Sequence, residues 1–153
     1  MARRTYIILA ALVVVLFLAV SAVLARVWSA DSAETAAVTA VVRAEARGDE
    51  AAMLAHLSGC RTSSACLGRV AAEIASLRRP GNVSILQVQP STGFSLVGTL
   101  GTARVAWRAS SPLPIVQCIR VRRAGDAISG LRVELLAISP RIKSDADCPP
   151  HFS

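Results

Sequence analysis

The chain has 153 residues, with 17 Lys+Arg against 10 Asp+Glu for a formal net charge of +7, and it is 53% apolar, 4% aromatic and 18% charged. That length holds one ordinary domain, or a small domain with a membrane segment. The apolar fraction excludes a disordered or collagen-like chain.

The N-terminus opens on the basic pair Arg3-Arg4. Tyr6 to Ala25 then runs for 20 residues without a charge, a Pro or a Gly. As a helix this run is about 30 Å long, the thickness of a bilayer's hydrocarbon core. Tyr6 and Trp28 lie near its two ends, where amphipathic rings favour the interfaces. Two arginines precede the run and Arg26 follows it, so the positive-inside bias puts the N-terminus in the cytoplasm and the rest of the chain outside. The alternative is a cleaved signal peptide, with weak small-residue sites around Ala25 and Ala30, but a typical apolar region of such a peptide is shorter than this run. The first cysteine is Cys60, which excludes a lipoprotein. Ala10, Ala11, Ala19, Ser21 and Ala22 form a small-residue stripe that a partner helix could use; alanine as filler in an apolar helix is the simpler account.

Asp31 or Ser32 is suited to cap a new helix. Ala37, Val38, Val41, Val42, Ala44 and Glu45 read as its amphipathic body, ending near Arg47-Gly48. Asp49 caps a second, short helix with Met53, Leu54 and Leu57 on its apolar side. Ser63 or Ser64 caps a third, in which Leu67, Val70, Ile74 and Leu77 share one face. Arg78 and Arg79 fall in its last turn, and Pro80-Gly81 stops it.

From there the apolar period becomes two. Val83, Ile85 and Val88 mark a first strand, and Phe94 and Leu96 a second that ends near Gly98. Leu100-Gly101 turns the chain into a third, where Ala103, Val105, Trp107 and Ala109 alternate with Thr102, Arg104, Ala106 and Arg108. A Pro-containing loop, 110 to 114, leads to a fourth, where Ile115, Gln117, Ile119 and Val121 alternate with Val116, Cys118, Arg120 and Arg122. Gly125-Asp126 turns the chain again, and Leu131, Val133, Leu135 and Ala137 form the last strand. The tail, 143–153, reads as irregular and tied down by Cys148.

The four cysteines, Cys60, Cys66, Cys118 and Cys148, all follow the apolar run. An even number on the external side suggests disulfides, with three connectivities open. Cys60–Cys66, closing a small loop between helices, and Cys118–Cys148, tying the tail to a strand, are favoured. Neither spacing is a CxxC, and His56 and His151 lie far apart, so a metal site is not expected.

Helices followed by consecutive strands give an α+β domain: N-terminal helices packed on one face of an antiparallel meander. The divisions are 1–28, a basic stub and transmembrane helix; 29–142, an external domain; and 143–153, the tail. The segment Ala44-Glu45-Ala46-Arg47-Gly48-Asp49-Glu50-Ala51-Ala52-Met53-Leu54 resembles a helix junction of the NTF2-like (cystatin-like) fold. The closing strands, Val116 to Arg123 and Leu131 to Ser139, are similar to that fold's ending. The resemblance spans about residues 32 to 142. It implies a strongly curved sheet forming a cone around the helices, and some small anchored proteins of this kind resemble Mce-associated proteins of lipid-import systems. One Lys against 16 Arg, with abundant Ala and Val, looks like a high-GC bacterial chain.

Enzymes of that fold need a base in the cone and oxyanion donors such as Tyr. The one Tyr here is Tyr6, in the apolar run. His56, at the end of the short helix, is expected at the surface. Asp126 sits at a turn, and Glu134 shares a strand face with Arg132 and is expected to pair with arginines. Nucleophile elbow, P-loop and dinucleotide fingerprints are absent from the sequence. No enzyme, catalytic residue or cofactor is therefore expected. A small apolar ligand in the cone is the alternative function; large side chains there, such as Trp107, Ile119 and Leu131, argue against it.

Arg104, Arg108, Arg120, Arg122 and Arg132 share the polar phase of three neighbouring strands. Such a face either keeps the sheet solvated or meets an anionic partner: lipid headgroups, envelope polymer or an acidic protein. An external domain with little aromatic interleaving argues against nucleic acid. The expectation is a non-enzymatic, single-pass protein of the bacterial inner membrane, whose external domain binds an envelope protein or a second copy of itself. Setting aside Arg3, Arg4 and Arg26 leaves 14 basic and 10 acidic residues, a net of +4.

Overall fold

The computed structural model describes residues 2–79, 81–91, 97–126, 130–144, 146–149 and 152. A single 46-residue helix, α1 (Ala2–Arg47), opens the chain. It contains neither Pro nor Gly, the two residues that would break it. Its N-terminal part is long and apolar enough to cross a membrane, and none of the most apolar window is buried within the protein. The helix stops at Gly48, whose φ of 75° only glycine adopts without strain. There the amides of Gly48 and Asp49 bond back to the carbonyls of Glu45 and Ala44, both at 2.9 Å.

The expected new helix start at Asp31 or Ser32 is not there. Nothing between Arg26 and Ser32 interrupts the helical backbone, and the Ser29 and Ser32 hydroxyls instead donate to carbonyls three residues back, those of Arg26 and Ser29. The division at 28/29 therefore falls inside α1. From Ala30 onward one stripe is buried at helical spacing: Ala30, Glu34, Val38, Val41, Val42 and Glu45.

Asp49 caps α2 (Glu50–His56) by accepting from the Ala52 amide at 3.0 Å. A 3₁₀ turn (Cys60–Thr62) leads into α3 (Ser64–Leu77), capped by Ser63. Met53, Leu57, Val70 and Leu77 enter the core. Helix α3 ends at Leu77, so Arg78 forms its C-cap rather than its last turn.

Four strands follow: β1 (Ser84–Gln89), β2 (Val97–Arg108), β3 (Ile115–Asp126) and β4 (Gly130–Ile138). They form one antiparallel meander in the order β1-β2-β3-β4. The turn expected at Leu100-Gly101 is absent, because β2 runs straight through both residues, paired with Arg122 and Val121 of β3. Gly101 serves a close approach instead: a Cβ there would lie 2.5 Å from the Ser91 Cβ. The strand expected over Phe94 and Leu96 lies outside the described residues.

The inner face carries Ala103, Val105, Trp107, Ile119, Val121 and Leu135 against the buried stripe of α1. Bulges adjust the alternation. One, between Ile85 and Gln87, changes the phase of β1; another lies between Val97 and Thr99 of β2; a third, on β4, pairs Ile138 with Ile119 and Ala137 with Arg120. Ala137 thus leaves the apolar phase of Leu135 for the opposite face. There Ala137, Cys118 and the tail residue Phe152 form a second small cluster, with Ile142 and Cys148 packed on it. The outer face is partly covered by the tail, which pairs Ile142 with Val116.

Candidate functional site

Two acidic side chains on the buried stripe of α1 organise the interior. The first is Glu34, with no exposed surface. Its Oε1 accepts from the Ser91 amide at 2.5 Å and its Oε2 from the Ser91 hydroxyl at 2.9 Å. Arg123 of β3 donates to the same carboxylate through Nε at 3.0 Å and Nη2 at 2.8 Å, and its Nη2 also reaches Asp31. Burial works against the charge of Arg123, but its hydrogen bonds to Glu34 and Asp31 outweigh that and hold its pKa above the usual arginine value. This clamp fastens the sheet to α1 about five to eight residues beyond Arg26.

The second is Glu45, also without exposed surface. Its Oε1 accepts from Gln117 Nε2 at 2.9 Å. Gln117 donates as well to the Ser139 carbonyl at 3.2 Å, and its own Oε1 accepts from Trp107 Nε1 at 2.7 Å. Glu45 Oε2 has no partner among the described residues. Burial pushes the Glu45 carboxyl up to about 8; the Gln117 hydrogen bond opposes this, and the charge of nearby Glu73 adds to it. Glu73, on α3, is buried too, and its pKa is raised by that burial against the pull of Arg69. A carboxyl at such a pKa suits proton transfer, but with no accessible surface Glu45 cannot touch a substrate in this conformation. Its immediate role is to fix one arrangement of helix, strand and indole.

The outer face brings the five arginines of the polar phase onto one side of the sheet by register: Arg104 faces Cys118, Arg122 faces Glu134, and Arg132 faces Ala124. They are not equivalent. Arg104 donates to the Ser144 carbonyl at 2.5 Å, holding the tail. Arg122 grips Glu134 through Nε at 2.8 Å and Nη2 at 2.5 Å. Arg120 is half-buried, while Arg108 and Arg132 are exposed. The expected continuous basic surface is therefore divided by the tail and by Glu134.

Both disulfides pair as favoured above: Cys60–Cys66 across the 3₁₀ turn, and Cys118–Cys148 from β3 to the tail. His56 is exposed at the end of α2. Among the described residues no group of three or more His, Cys, Asp or Glu is arranged to hold a metal. Trp107 and Ile119 fill the inner side of the sheet; the Leu131 side chain lies outside the described set. A cleft of about 280 Å³ opens instead between β4 and the Cys60–Cys66 loop, lined by Leu57, Cys60, Cys66, Arg69, Val70 and Ile138.

Sequence reasoning missed Glu34, Arg123 and Gln117 as partners in a buried network. A signal existed: positions 30, 34, 38, 41 and 45 recur at helical spacing, which puts both glutamates in phase with Val38 and Val41. Comparison with protein families, with characterised proteins and with solved structures finds no match to this chain.

Proposed function

We propose that this is a single-pass, membrane-anchored protein whose external domain binds or scaffolds another component of the bacterial cell envelope without catalysis. The observation that carries this reading is α1: an apolar stretch of membrane length runs with no linker into the buried stripe that organises the domain. The two disulfides support an oxidising, extracytoplasmic compartment, and the sealing of Glu45 supports a structural rather than a catalytic carboxylate. Helices on one face of an antiparallel meander are compatible with the NTF2-like architecture and its cone. The partner meets the exposed outer face at its membrane-distal end, through Arg108.

A mild-detergent pull-down of the full chain with mass spectrometry tests this. An envelope protein is expected to co-purify and to be lost with Arg108→Gln. Recovery of the same partners with and without that arginine would refute the assigned surface. The cleft beside Cys60–Cys66 favours a second reading, a small apolar ligand bound there rather than inside the sheet. Its signature would be a ligand released on denaturation of the purified protein.

A further inference from the structure

The contacts between β3 and α1 measure how high the external domain stands above the membrane. Gln117 meets Glu45, and Arg123 meets Glu34. Between these contacts β3 advances about 20 Å, while α1 is traversed backwards by about 16 Å. Strand β3 therefore descends α1 toward the apolar run, each strand residue standing level with a helix residue about two positions earlier. Continued to Asp126, where β3 ends, this relation reaches the level of Trp28. The uncharged run ends at Ala25. The end of β3 thus stands only about 4 Å beyond Arg26, inside a headgroup layer of roughly 5–7 Å.

Arg132, paired with Ala124 across the β3–β4 ladder, stands about 9 Å beyond Arg26, within reach of that layer for a long guanidinium side chain. The other arginines of the sheet stand higher or are engaged. Arg122 is bound to Glu134 and Arg123 to Glu34 and Asp31; Arg104 and Arg108 lie toward the far end of β2. Arg132 is exposed and has no ion pair or hydrogen bond among the described residues. Trp28, 77% exposed, sits lower, level with the end of β3, where indole rings favour the interface.

We propose that the β3–β4 end of the sheet is seated in the headgroup layer of the leaflet from which α1 emerges, with Arg132 contacting the phosphate of anionic phospholipid. A planar guanidinium suits that phosphate in a two-point contact. This inference rests on the anchor reading given above.

The test uses the full isotope-labelled chain in nanodiscs that carry a gadolinium-chelating headgroup lipid. The amide signals of Gly125 and Arg132 are expected to broaden several-fold more than those of Trp107 and Ile115. In a second pair of discs, without gadolinium, replacing phosphatidylcholine by phosphatidylglycerol is expected to shift the Arg132 Nε–Hε signal. The other shifts that the anionic lipid induces at that end of the sheet should disappear in Arg132→Gln. Equal broadening at both ends, or an Arg132 signal indifferent to the lipid, would overturn the proposal while the protein stays in the discs. Release of the protein from the discs on an alkaline wash would instead sink the anchor reading, and this proposal with it.

Discussion

Glu45 makes the stability of this domain fall as pH rises, and Glu45→Gln should abolish most of that fall. In the unfolded chain the carboxyl ionises near 4.5, whereas in the folded protein burial keeps it protonated up to about 8. Between those values folding takes up a proton, so stability drops with increasing pH and levels off above the folded pKa. The interval from 4.5 to about 8, at about 1.4 kcal/mol per pH unit, sets a ceiling of roughly 5 kcal/mol on the effect. Glutamine keeps the oxygen that accepts from Gln117 and puts an amide where Oε2 already lacks a partner. The variant should lie within about 1 kcal/mol of the parent at pH 5 and exceed it by about 3–5 kcal/mol at pH 8. Glu73 shifts in the same direction, so a shallower decline should persist. Urea denaturation of the full chain in detergent micelles, followed by Trp107 fluorescence in a Trp28→Phe background at pH 5, 6, 7 and 8, measures both slopes. A parent protein equally stable at pH 5 and pH 8, or a variant with the parent's slope, would refute the reasoning.

The clamp and the staples give further tests. Glu34→Ala leaves Arg123 largely buried and loses both Ser91 contacts, so it should remove about 3–5 kcal/mol of stability in the same denaturation assay. Gly101→Ala should destabilise by about 1–3 kcal/mol because its Cβ meets Ser91; the additional change Ser91→Gly should recover part of that loss. Cys118→Ser/Cys148→Ser should free the tail from the outer face and lower stability by roughly 3 kcal/mol, with Phe152 becoming accessible in hydrogen-exchange mass spectrometry. Intact mass after alkylation without reductant should show no thiol modified in the parent chain, and protein taken from membranes should retain Met1 to Ala25; a mature N-terminus near Val27 or Asp31 would mean cleavage.

Much of the architecture follows from periodicity, and the departures have local causes. The stripe Val38, Val41, Val42 and the alternation of Val105 and Trp107 with Arg104 and Arg108 are strong because each repeats over several residues against one core. Asp31 suggests a helix start because it is a good capping residue, yet no breaker stands beside it; its carboxylate is taken instead by Arg123, 92 positions away. The false turn at Gly101 has a similar origin. Glycine marks either a bend or a close approach, and only the position of Ser91 decides between them. The five arginines share one phase in the sequence, and register within a meander follows the pleat. Their division into engaged and exposed depends on where the tail crosses the sheet, which no local pattern encodes. Glu45 does not read as a buried acid in the sequence, because the side chains around it, Gln117 and Trp107, come from strands far along the chain.

The unbroken α1 also makes angular position a heritable quantity. Because no linker separates the apolar run from the buried stripe, each residue inserted between Arg26 and Ala30 would rotate the external sheet by about 100° about the helix axis and raise it by about 1.5 Å. Seven inserted residues, close to two full turns, would return the sheet nearly to its original facing at about 10 Å greater height. The count of residues in that short stretch therefore sets the compass bearing of the domain toward anything packed against the membrane helix. Insertions of one to seven residues would separate requirements of bearing from requirements of height.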